Sequence, residues 1–153
     1  MLDNMSQVQR VMNQSQTKAE LALFKKAFSN GKKSRILTAL INMDNQLLSI
    51  DEITEGKSIN SQCYCGLRTV PINMIQGSES RSDDFDRNFN PLKKHDMHRW
   101  MSVAEMRLRG RPLPAVELIQ IGERYIVVDG HHRISVARAL GEKFIEANVT
   151  HWG

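Results

Sequence analysis

Apolar positions in the first part of the chain recur at helical spacing. Leu21, Phe24 and Phe28, with Leu23 and Ala27 widening the stripe, predict an amphipathic helix over residues 18–28. Asn30 and Gly31 both tolerate left-handed backbone and predict its end. Ile36, Leu37, Leu40 and Ile41 then predict a second helix that closes near Asp44 and Asn45. Two helices joined by a short turn make a helical hairpin. It would serve as a lid on the main core or, less commonly for two short helices, as a DNA-binding or oligomerising appendage. Residues 1–16 are polar, rich in Gln, Asn and Ser, and carry no such stripe. Residues 46–50 read as a short strand and residues 53–61 as loop.

The pattern changes after Gly66. Residues 68–72 read as a strand, with Pro71 near an edge or end, and Gln76, Gly77 and Ser78 as the turn that follows. A charged, irregular stretch over residues 80–89 precedes a clear helix face of Met97, Trp100, Met101, Ala104 and Leu108, which Gly110 ends. Trp100 on that face reads as core. Pro112 and Pro114 keep the next residues extended. Residues 116–121 and 124–128 are β-branched strands joined by Gly122 and Glu123, a hairpin. A helix over residues 131–140 presents Ile134, Ala137 and Leu140 inward, Gly141 closes it, and residues 144–149 form a last strand. The expected fold is mixed α/β, with residues 1–65 as an N-terminal helical extension and residues 66–153 as a small α/β domain.

Composition narrows the class. With 41% hydrophobic and 25% charged residues, the 153-residue chain lies in the globular range and can form its core without disulfide staples. The only cysteines, Cys63 and Cys65, sit too close for an easy disulfide and lack the second pair that a zinc site needs, so free thiols in a reducing cytoplasm are expected. The start has an acid and no apolar core, unlike a signal peptide, and no apolar run approaches a bilayer's span, so no membrane partner is expected. A net charge of +4 and a pI near 9.3 are compatible with nucleic acid as a partner but do not require one.

The chemistry concentrates at Asp129, Gly130, His131, His132 and Arg133. A strand running through Asp-Gly straight into a helix brings together backbone amides that lack helical partners, where the helix dipole adds partial positive charge. Gly130 allows close approach of a ligand, the histidines and Arg133 add donors, and Arg133 can grip a phosphate with two parallel hydrogen bonds. Asp129 is placed to cap the helix. In the structural alternative Asp129 only caps, Arg133 makes a surface ion pair and one histidine packs. A metal held jointly by Asp129, His131 and His132 is disfavoured, because neighbouring helix residues point about 100° apart.

Residues 113–118, 125–133 and 136–141 together resemble the ParB/sulfiredoxin superfamily: a Pro-led strand, a hairpin, a Gly-His-Arg-type helix start and a Leu-Gly exit. Val70, Pro71 and Ile72 through Arg81 resemble that superfamily's first conserved box, so the likeness spans roughly residues 66–152. It implies a ParB/sulfiredoxin-like domain and leaves activity open, since members include CTP-hydrolysing DNA-segregation clamps, peroxiredoxin-repair enzymes, free-serine kinases and proposed nucleases. His131 stands where sulfiredoxins carry a catalytic cysteine, which removes their thiol chemistry. The segregation clamps carry a Gly-Glu-Arg-Arg pattern and a following helix-turn-helix region, neither of which is found here. The free-serine kinases carry an Asp-Gly-His start followed by Arg, similar to Asp129, Gly130, His131 and Arg133, and a glutamate in the first box, where Glu79 occupies a similar place. The resemblance implies phosphate or nucleotide binding by Asp129, Gly130, His131, His132, Arg133 and Arg81, with Glu79 as catalytic base or metal partner.

Asp83, Asp84 and Asp86 form an acidic cluster that could hold Mg²⁺ or simply be an exposed loop. Arg87, His95, His98 and Arg99 are candidates to line the same cleft. Three functions are compatible with these residues. The first is a nucleotide- or phosphate-binding protein with phosphotransferase or nucleotide-hydrolase activity, using Mg²⁺. The second is a nucleic-acid-binding regulator or nuclease. The third is a non-catalytic ligand sensor or adaptor, and each is compatible with a homo-oligomer.

Overall fold

The computed structural model describes residues 2–80 and 83–153. Its elements run α1 (Leu2–Leu40), α2 (Ile50–Thr54), β1 (Gln62–Pro71), β2 (Ile75–Ser78), α3 (Met97–Leu108), β3 (Val116–Ile121), β4 (Arg124–Asp129), α4 (His131–Ala139) and β5 (Phe144–Trp152). Short 3₁₀ turns, Ile72–Met74 and Lys94–Asp96, precede β2 and α3. No described helix is long and apolar enough to cross a membrane.

The five strands form one mixed sheet in the order β1-β5-β3-β4-β2. β3 and β4 are the expected hairpin, antiparallel. β5 lies parallel to β3 on one side and antiparallel to β1 on the other. Pro71 ends β1, an edge strand, where its missing N–H is tolerated. A bulge between Tyr64 and Gly66 interrupts β1 at Cys65, and the thiols of Cys63 and Cys65 are both free.

The main core lies between one face of the sheet and the helices. Val116 and Leu118 of β3, Val127 of β4, and Ala147 and Val149 of β5 meet Trp100 and Ala104 of α3 and Ile134, Val136 and Ala137 of α4. Trp100 is fully buried, and its Nε1 donates to Ser135 Oγ at 2.8 Å; that hydroxyl donates to the Phe89 carbonyl at 2.5 Å. A buried indole N–H thus has its partner, and the same relay ties both helices to the loop before α3. The strands alternate, so Ile119 and Ile126 face the other side, where Ile53 of α2 covers them.

Three expectations fail here. The predicted hairpin of helices is a single continuous helix, α1. Asn30 and Gly31 do not end it, because Gly31 serves packing: a Cβ there would stand 2.9 Å from the Pro91 carbonyl oxygen. Phe24, Ala27, Phe28 and Gly31 make the i, i+3, i+4, i+7 contact stripe, and Phe24 meets the Trp100 ring edge-on at 5.5 Å. Ile36, Leu37, Leu40 and Ile41 do not pack back and are more than half exposed.

Residues 46–50 are not a strand either. Gln46 and Leu48 make isolated bridges to Asp86 and Gly77, and a helix begins at Ile50. Ser49 and Glu52 form a capping box that starts this helix at the end of the predicted strand, and its last residues, Ile53 and Thr54, enter the predicted loop.

Residues 76–78 are strand rather than turn. β2 pairs in parallel with β4, and Gly77 lets the Leu48 backbone come so close that a Cβ would meet its carbonyl oxygen at 2.5 Å.

Candidate functional site

β4 ends at Asp129 and α4 begins at His131, with Gly130 between them at φ 108° and ψ 21°. Only glycine fits there. Its backbone is left-handed, and a Cβ would lie 2.5 Å from Val116 Cγ1. Gly130 is the residue before the first turn of α4, so Asp129 does not cap the helix as its sequence position suggests. Its exposed carboxylate instead pairs with Arg133 at 2.6 Å, one turn along.

Arg133 is held more firmly than a ligand-seeking side chain. One terminal nitrogen donates to the carbonyls of Pro114 and Ala115 at 2.6 and 2.9 Å, and the other donates to Asp129. The guanidinium therefore fastens the Pro-led segment before β3 to the start of α4.

Both histidines are buried. The His131 Nε2 shares a hydrogen bond of 2.7 Å with Ser78 Oγ at the end of β2, and its ring stacks on Phe85. His132 meets the same Phe85 ring edge-on and places Nε2 3.5 Å from Asp96 Oδ1. The imidazoles thus form the wall behind the turn.

A cleft of about 260 Å³ opens in front of that wall. Its floor is Asp129, Gly130, His131, His132 and Arg133. Val103, Met106, Leu113 and Pro114 make an apolar side, with Ser80 and Arg99 at the polar side. Arg99, exposed on α3, makes no hydrogen bond or ion pair among the described residues. Among the described residues it is the uncommitted guanidinium of this cleft, because Arg133 is neutralised by Asp129. A space of this size takes a phosphate and a small part of whatever carries it.

The remaining predicted site residues are distributed differently. Arg81 lies outside the described residues. Glu79 is exposed, hydrogen-bonded through its backbone to the Val127 carbonyl, and is not among the residues lining the cleft. The aspartates of the acidic cluster do not converge on one point. Asp86 is buried, and its carboxylate accepts the backbone N–H groups of Asn88 and Asn90 and the Asn90 side-chain amide, organising its own loop. Asp84 pairs with Lys93 at 2.8 Å, while Asp83 is exposed. Among the described residues, the group with metal-ligand proximity is Asp84, His95 and Asp96. Arg87 donates to the Gln46 carbonyl, and His98 is exposed.

Ser78 and Asp96 escape sequence reasoning. Ser78 falls in a segment with turn composition. Asp96 stands before α3, where an aspartate ordinarily caps, yet its side chain makes no cap hydrogen bond.

No protein-family model matches the chain, and no curated protein matches its sequence. Among solved structures, sulfiredoxin from Arabidopsis thaliana is similar with a TM-score of 0.40 and 15% sequence identity, over 54% of this chain and 82% of that one. A likeness that distant transfers no residue's role, and the site is read on its own geometry.

Proposed function

We propose that the cleft between the start of α4 and Arg99 binds a phosphate-bearing ligand, a nucleotide or another phosphorylated small molecule. The observation that carries this reading is the meeting of three features in one cleft: the side-chain-free Gly130 turn, the first residues of α4 and an uncommitted guanidinium. Amides in a helix's first turn and its dipole favour negative charge, and Arg99 adds a full positive one. The apolar side suits a base or carbon skeleton attached to the phosphate. The resemblance of the Asp129 to Arg133 motif to the ParB/sulfiredoxin superfamily points the same way.

The proposal is for binding. Glu79 would serve as a base only for an acceptor that extends beyond Ser80, so phosphoryl transfer is a second step that turnover assays address separately.

Thermal stability in the presence of inorganic phosphate and a panel of nucleotides, with and without Mg²⁺, tests it. A ligand at a hundred times its Kd stabilises the fold by about 2.7 kcal/mol. The expected result is a rise in Tm with a phosphate compound that Arg99→Ala abolishes. Absence of a shift with every phosphate compound refutes the reading. Binding only to long nucleic acid, weakening steeply with salt, would replace it with the nucleic-acid alternative.

A further inference from the structure

Asp96 carries a feature that the cleft does not use. Its residue is buried, and its Oδ2 has no hydrogen-bond partner among the described residues. A buried carboxylate oxygen without a donor is rare in native proteins and calls for an ion, a water or a functional reason. The carboxylate forgoes capping α3 and turns toward two imidazoles: Oδ2 lies 3.5 Å from His95 Nε2, and Oδ1 lies 3.5 Å from His132 Nε2.

Asp84 joins them from the preceding loop. One ligand atom from each of Asp84, His95 and Asp96 lies within 4.8 Å of the others. Neighbouring donors around a tetrahedral ion with metal–ligand bonds of about 2.0–2.1 Å are ~3.3 Å apart, close to the His95–Asp96 spacing. Around octahedral Mg²⁺ they are only ~2.9 Å apart. An imidazole among the donors also selects zinc-like ions over magnesium.

We propose that Asp84, His95 and Asp96 form a binding site for a divalent transition-metal ion of the zinc class. Two carboxylates supply the charge that a dication needs, an imidazole adds a neutral nitrogen donor, and His132 Nε2 stands 3.5 Å from the other Asp96 oxygen. His95 is exposed, which gives the ion an entry path, and water completes the coordination. Lys93, which pairs with Asp84, is partly exposed and swings to solvent when the ion enters. The bound ion clamps the loop before α3 onto the first turn of that helix, beside α4.

The full chain is titrated with Zn²⁺, Co²⁺ and Mg²⁺ by calorimetry, and the visible spectrum of the Co²⁺ form is recorded. One Zn²⁺ or Co²⁺ per chain is expected, with Mg²⁺ far weaker and a cobalt spectrum free of thiolate charge-transfer bands. His95→Ala, an exposed change that spares the fold, and Asp96→Asn should each weaken binding about tenfold or more. The double variant Cys63→Ser, Cys65→Ser should bind as the parent does. No stoichiometric Zn²⁺ or Co²⁺ binding overturns the proposal. So does binding that survives both ligand substitutions, or that disappears with the cysteines.

Discussion

Ser78 Oγ and His131 Nε2 share a buried hydrogen bond of 2.7 Å, joining the end of β2 to the first residue of α4 across 53 positions of sequence. The contact fixes the imidazole that backs the cleft. Ser78→Ala leaves a buried ring nitrogen short of this partner and should cost about 1–3 kcal/mol in denaturant unfolding. A loss below measurement error would mean that the pair is incidental to the fold.

Arg133 and Asp129 form one ion pair but carry unequal weight. The guanidinium is mostly buried and serves two backbone carbonyls besides the carboxylate, so Arg133→Ala should destabilise by about 2 kcal/mol. Lysine should rescue little, because it cannot span the carbonyls and the carboxylate with one planar fork. Asp129 is mostly exposed, so Asp129→Asn should cost less than about 1 kcal/mol. It should also tighten phosphate binding, by removing a negative charge from the floor of the cleft. Weaker phosphate binding in Asp129→Asn would show that the carboxylate assists the ligand instead.

Replacing a helical glycine with alanine ordinarily stabilises by about 1 kcal/mol. Gly31→Ala should do the reverse. The new methyl would press on the Pro91 carbonyl oxygen at 2.9 Å, a backbone atom that cannot rotate aside. Thermal unfolding decides the sign: a higher Tm would show that the loop at Pro91 gives way.

Glu20 is buried on α1, and desolvation, followed by the nearby Glu105 carboxylate, raises its pKa above the ordinary carboxylate value, against a smaller lowering by Arg109. An acid whose pKa is raised on folding weakens the native state when ionised. That penalty is present above the folded pKa and is relieved as pH falls toward the unfolded value. Glu20→Gln should therefore stabilise at neutral pH, and the gain should shrink on acidification through the window above pH 4.5, the unshifted value. Urea unfolding of both proteins across that window checks it; a gain independent of pH would remove the electrostatic cause.

The elements legible in the sequence are those with local signals. The face of α3, the β3–β4 hairpin, α4 and β5 follow from periodicity and from glycines at their ends. The failures arise where distant parts of the chain decide. β2 pairs in parallel with a strand almost fifty residues away, and its glycine exists for the Leu48 backbone, so its composition imitates a turn. Gly31 imitates a helix stop for a similar reason. The capping box of Ser49 and Glu52 was readable locally, from a serine three residues before a glutamate. At the site, the sequence brings out the Gly130 turn and includes Arg99 as a lining candidate. It cannot show that Arg133 is occupied by carbonyls, that both imidazoles pack on Phe85, or that Asp84 pairs with Lys93 while Asp86 turns to Asn88 and Asn90.

The sheet order also constrains how this protein acquires its structure. β5, last in the chain, sits between β1 and β3, and Gly153 exchanges backbone hydrogen bonds with Ser61. The β3–β4 hairpin can form from local contacts, but β1 has no neighbour in the sheet until residues some eighty positions later arrive. Closing so large a loop comes before its contacts can reward it, which slows folding. During synthesis β1 therefore waits as an unpaired edge, and any chaperone that attends this protein would find its binding segment there.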